Sequence, residues 1–184
     1  MPLELKDKKM KGHVIWITGL PGSGKTTLAN ELREQISHQK PINLDGDRLR
    51  EALDNNEYSQ MARQKLSLQY AKLANMLAND GHTVIVSVVA MYHNIHRWNR
   101  ENNANYTEVL LKPDQACLLK RNKKGLYSTG SDFSPNSITN KTNNIQYPYS
   151  PDFIFDSGTK TPTKMATELA TYLNNVAKGI ITND

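Results

Sequence analysis

The densest chemical signal in the chain is one run, Gly19-Leu20-Pro21-Gly22-Ser23-Gly24-Lys25-Thr26. Glycines let a backbone curl with its N–H groups turned inward, and a helix beginning at the end of the loop adds positive partial charge. The run therefore predicts a cradle for phosphate. Gly22, Ser23, Gly24, Lys25, Thr26 and Thr27 are the expected ATP contacts, with Lys25 on the β- and γ-phosphates and the Thr26 hydroxyl on magnesium. A second signal is Leu44-Asp45-Gly46-Asp47. Phosphoryl transfer to an alcohol needs a group that takes the incoming hydroxyl's proton and holds its oxygen in line. Asp47 is the expected catalytic carboxylate beside Lys25, with Asp45 second on the substrate side. An Asx-turn with Gly46 would also account for Asp45.

The elements that must position these residues follow from hydrophobic spacing. Apolar runs alternate with helical patterns, which predicts an α/β fold: a three-layer phosphate-loop domain with a central parallel sheet. Val14–Thr18 reads as the first strand and residues 25–37, with Leu28, Leu32 and Ile36 four apart, as the helix after it. A short strand spans 41–44. Ser59 is a fitting N-cap for a helix that Gly81 ends. Residues 83–90, rich in Val and Ile without alternation, predict a strand buried on both faces, expected at the middle of the sheet. A strand at 106–112, a helix opened by Pro113 and running to about Arg121, a strand at 153–155 and a closing helix opened by Thr161 and Pro162 complete the order. Between 122 and 149 the pattern gives way to Gly, Ser, Thr, Asn and Pro, and we expect a mobile lid within one domain spanning 1–184.

The 184 residues carry a formal charge of +5, with 38% hydrophobic and 22% charged residues, as expected of one soluble globular domain. Lys and Arg are scattered, which speaks against a nucleic-acid footprint and suits a site for polyanionic small molecules. The single cysteine, Cys117, cannot form an internal disulfide, and no Cys/His cluster has metal-ligand spacing. Met1 to Lys11 lacks the apolar core of a secretory signal, and no run approaches the roughly 20 apolar residues needed to cross a bilayer. A cytoplasmic protein without membrane contact is expected. His93 and His96 read as capping or surface groups, and Trp98 and Tyr92 as core aromatics.

The strand at 83–90 ends without the acid that motor ATPases and switch GTPases place on magnesium, and Asn140-Lys141-Thr142-Asn143 lacks the Asp of a guanine-reading motif. These features point to a small-molecule kinase. Together, Gly19 to Ala29, Leu44-Asp45-Gly46-Asp47-Arg48-Leu49-Arg50 and Arg121-Asn122-Lys123-Lys124-Gly125-Leu126-Tyr127 make the chain resemble the adenylylsulfate (APS) kinases over roughly residues 12–156. The resemblance implies magnesium ATP as donor, the 3′-hydroxyl of a small nucleotide as acceptor, and a homodimer. By position it makes Asp47 the catalytic acid, Arg50, Arg63 and Arg100 substrate contacts, Lys124 and Leu126 lid residues near the nucleotides, and Arg121 a partner of ATP.

The departures fall on the acceptor side. Where that family follows Arg63's counterpart with Asn-Ile-Arg-Arg, this chain has Leu66-Ser67-Leu68-Gln69. Ala90-Met91-Tyr92-His93 replaces Ser-Pro-Tyr-Arg, and only Tyr147, Pro148 and Pro151 remain of the lid's Phe-Thr-Gly-Ile-Asp region. Losing an amide and positive charge where a sulfated nucleotide would dock leaves buried anionic groups unpaired. Another activated nucleotide, such as the cytidine diphosphoramidate of capsule synthesis, is therefore an alternative acceptor. A catalytically inactive nucleotide-binding regulator is a second alternative, which intact Lys25, Thr26 and Asp47 argue against.

Overall fold

The computed structural model describes residues 11–121 and 145–180. Lys124, Leu126 and most of the expected lid lie outside them. Among the described residues the elements run β1 (His13–Gly19), α1 (Lys25–Gln35), β2 (Ile42–Asp45), α2 (Gly46–Ala52), α3 (Gln60–Asn79), β3 (Thr83–Val88), α4 (His93–Asn102), β4 (Tyr106–Leu111), α5 (Gln115–Arg121), β5 (Phe153–Phe155) and α6 (Pro162–Ala177). The five strands are parallel, in the order β2-β3-β1-β4-β5. Neighbouring parallel strands need crossovers, and the helices that make them cover both faces.

Alternate residues of each strand feed opposite cores. On one face Ile15, Ile17, Ile85 and Val109 pack against Leu28 and Leu32 of α1, Ile36 just after it, and Met165, Leu169 and Leu173 of α6. On the other, Trp16, Val84 and Val86 pack against Leu66, Tyr70 and Ala74 of α3 and Ile95 of α4. Each large aliphatic side chain so buried contributes about 1.5–3 kcal/mol. Ser59 does cap α3, accepting from the Ala62 amide at 3.2 Å, and Thr161 caps α6.

Two expectations are corrected. The middle of the sheet is β1, not β3, which lies between β1 and β2. Burial on both faces is common to every interior strand and does not say which is central. Pro113 does not open α5 either: Asp114 accepts from the Cys117 amide at 2.6 Å, so the helix starts after this side-chain cap and Pro113 precedes it.

Candidate active site

All strands point the same way, so their C-terminal ends gather at one edge, where ligands bind in open α/β sheets. There the loop after β1 and the turn after β2 face each other across a cleft of about 840 Å³. Gly22 (φ 75°) and Gly24 (φ 95°) take the left-handed backbone that lets the loop curl and lead into α1 at Lys25. Lys25 is only 9% exposed, and its ammonium donates to the carbonyls of Gly19 and Leu20, each at 2.9 Å. It is thus folded over the inside of the loop rather than turned to solvent. Arg121 reaches the rim of the loop, donating to the Gly22 carbonyl at 3.2 Å and the Ser157 carbonyl at 2.7 Å. The Ser157 hydroxyl donates to the Ser23 carbonyl at 2.5 Å.

Asp45 is more than a turn residue. Its Oδ1 caps α2 by accepting from the amides of Asp47 and Arg48, while its Oδ2 accepts from the hydroxyls of Thr26 at 2.7 Å and Ser87 at 2.9 Å. Burial works to raise this carboxyl's pKa, but the hydrogen bonds from Thr26, Ser87 and the two amides outweigh it and hold it below the usual carboxylate range. Asp45 therefore stands against the loop, beside the hydroxyl expected to meet magnesium. Asp47 lies in the first turn of α2 and lines the cleft together with Lys25 and Thr26. This donor set suits a magnesium triphosphate: an ammonium and inward-curled loop for phosphate, a hydroxyl that donates its hydrogen bond to Asp45, and carboxylates nearby.

On the far side of the cleft stand Arg50 and Arg63, with Tyr58 between them. The guanidinium carbons lie 4.5 Å and 5.9 Å from the Tyr58 ring centre. Arg50 also donates to Asn55 Oδ1 and the Glu57 carbonyl, each at 2.8 Å. Sequence reasoning overlooked Tyr58, though an aromatic between two arginines was a readable signal. It also overlooked Ser87 and Ser157, whose roles depend on strand register and loop proximity. Tyr92 and Trp98 both pack against the core as expected, and Tyr92 also lines the cleft.

Arg100 lies elsewhere. It leaves the lining of the cleft and donates to Glu108 Oε2 at 3.3 Å, Asp152 Oδ2 at 3.2 Å and the Ser150 carbonyl at 2.6 Å. Nor is His96 a capping or surface group. It is buried, with Nδ1 2.7 Å from Glu108 Oε1. Burial would raise the Glu108 carboxyl, but His96, Tyr106 and Arg100 bring it below its usual pKa. A fully enclosed carboxylate needs such partners, and Arg100 is drawn into that task. Arg100→Met is accordingly expected to lower folding stability by about 1–3 kcal/mol and to leave the acceptor KM unchanged. Urea unfolding and steady-state kinetics on the same preparation check both halves.

The sheet order, the curled loop and the cleft define an α/β phosphate-loop kinase. The chain belongs to the adenylylsulphate kinase family, whose model matches residues 11–156, and so to the ATP-dependent phosphotransferases with a hydroxyl acceptor. A cytidine diphosphoramidate kinase of Campylobacter jejuni is 39% identical over 122 residues, spanning 65% of this chain and 72% of that one. The adenylyl-sulfate kinase of Pseudomonas entomophila is 30% identical over 182 residues, spanning 94% and 86%. In fold, the chain matches the Mycobacterium tuberculosis APS kinase CysC, solved with AMPPNP and APS, with a TM-score of 0.73 at 24% identity, covering 89% of this chain and 98% of that one. No helix among the described residues is long and apolar enough to cross a membrane.

Proposed function

We propose that this protein transfers the γ-phosphoryl group of magnesium ATP to the 3′-hydroxyl of a small nucleotide, and that cytidine diphosphoramidate is a better acceptor than adenylylsulfate. The observation that carries the transfer is that Lys25, Thr26 and Asp47 line one cleft. Magnesium supplies charge neutralisation across the phosphates. Lys25 and the loop amides grip the β- and γ-phosphates, and Arg121 lies on the ATP side. Asp47 takes the hydroxyl proton as the acceptor oxygen bonds to the γ-phosphorus and the bond to the bridging oxygen breaks, releasing ADP. Arg50 and Arg63 hold the acceptor's anionic groups.

The choice of acceptor rests on α3. Leu66, standing where the resembling family has an amide, is buried and lines the cleft beside Ser67. The Ser67 hydroxyl donates to the Arg63 carbonyl at 2.8 Å. That wall offers a sulfate little to pair with, and the 39% identity to the Campylobacter enzyme points the same way. The two acceptors are to be compared with magnesium ATP, the new phosphate being located by NMR. A higher kcat/KM for cytidine diphosphoramidate is expected. Preference for adenylylsulfate would reverse the acceptor reading, and no transfer to any nucleotide would favour the inactive regulator.

A further inference from the structure

Strand β3 carries no acid at its end. In that place stands Ser87, 3% exposed, whose register partner on β2 is Asp45. We infer that Ser87 is a positioning residue: by holding the Asp45 carboxylate it directs the Thr26 hydroxyl proton inward, turns that hydroxyl's lone pairs to the metal, and steadies the turn that carries Asp47. This rests on the reading of the cleft as a magnesium ATP site.

An ionised carboxylate offers about four acceptor positions. Asp45 fills them from the protein: Thr26 at 2.7 Å and Ser87 at 2.9 Å on Oδ2, the Asp47 amide at 3.1 Å and the Arg48 amide at 3.3 Å on Oδ1. It is therefore fully engaged by its own chain, which removes it from the acceptor side where the sequence suggested it. A hydroxyl has one proton. Thr26 donates its one hydrogen bond to Asp45, so what it turns to the cleft is lone pairs, as a cation requires.

The terminal torsion of Asp is soft, and the carboxylate's angle is set by what binds its oxygens. Two amides fix Oδ1 from the α2 side. Ser87, reaching from the adjacent strand, fixes Oδ2 from the sheet side. Without it Oδ2 keeps only Thr26, and the carboxylate can follow that side chain instead of directing it. The same carboxylate anchors the first turn of α2, so Ser87 ties the expected metal ligand and the expected base to one rigid strand pair.

Mn2+ with ADP is the probe, titrated by electron paramagnetic resonance, which needs neither acceptor nor turnover. Ser87→Ala is expected to weaken Mn2+–ADP binding about tenfold, the loss of one hydrogen bond to a charged group. In turnover the magnesium concentration for half-maximal rate should rise and kcat fall, with the acceptor KM unchanged. Unchanged Mn2+–ADP affinity in Ser87→Ala overturns the proposal, including when its melting temperature drops, because the hydroxyl then serves packing alone. If Ser87→Ala does not fold, Asp45→Ser combined with Ser87→Asp takes its place. Serine caps helices about as well as aspartate, so α2 keeps its cap while the carboxylate crosses the register pair. This exchange must bind Mn2+–ADP more tightly than Asp45→Ser alone, and equal binding overturns the proposal. If the wild-type protein itself fails to bind Mn2+–ADP, the nucleotide-site reading falls, and this one with it.

Discussion

Asp47→Asn is expected to lower kcat by about 10²–10⁴-fold, the range that general-base catalysis supplies, with ATP affinity nearly unchanged. The substitution keeps size and shape and removes only the capacity to accept a proton. Asp47 lies in the first turn of α2 and its backbone amide donates to Asp45, so the turn is held whichever side chain stands there. A fall in kcat with no change in nucleotide binding is thus a statement about the proton. Steady-state kinetics with an acceptor, paired with calorimetric ATP binding, makes the measurement. Undiminished turnover would place the base elsewhere.

Lys25→Ala should do still wider damage, lowering kcat by at least about 10²–10³-fold, as removal of one preorganised charge stabiliser does, and weakening ATP binding as well. The ammonium is buried and bonded to two carbonyls of its own loop. Its loss takes away the positive charge proposed to meet the phosphates and strips the loop of an internal brace. Lys25→Arg should not restore activity, because a planar guanidinium cannot replace a compact ammonium between those carbonyls. The same two assays apply, and transfer persisting near the wild-type rate in Lys25→Ala would remove the loop from the mechanism.

What was readable in the sequence was local. The glycine spacing before Lys25 dictates a curled loop wherever it occurs, and the Ser59 and Thr161 caps depend on neighbours within three residues. The order of the strands and of α1, α3, α5 and α6 followed from hydrophobic period together with the cap, Gly and Pro signals at their ends. What escaped was set by pairing across the sheet. Asp45 resembled an ordinary turn residue because Ser87, forty-two positions on, becomes its partner only through the register of β2 and β3. Arg100 resembled a ligand contact because the carboxylates that claim it, Glu108 and Asp152, come from β4 and the approach to β5. His96 was misjudged for the same reason. Isolated positive or titratable side chains cannot be assigned until their buried counter-charges are known.

Helix α6 lies on α1, the helix that Lys25 opens, and Ser157 just before it fastens the Ser23 carbonyl. Both are translated long after the glycine-rich run they support. A nascent chain that has exposed that run, but not yet the stretch beyond Phe155, carries the emblem of the family without the scaffolding that makes it rigid. Nucleotide in the surrounding pool can reward the fold only once this late buttress has emerged from the ribosome, so shortening the protein after β5 should disable a motif it leaves untouched.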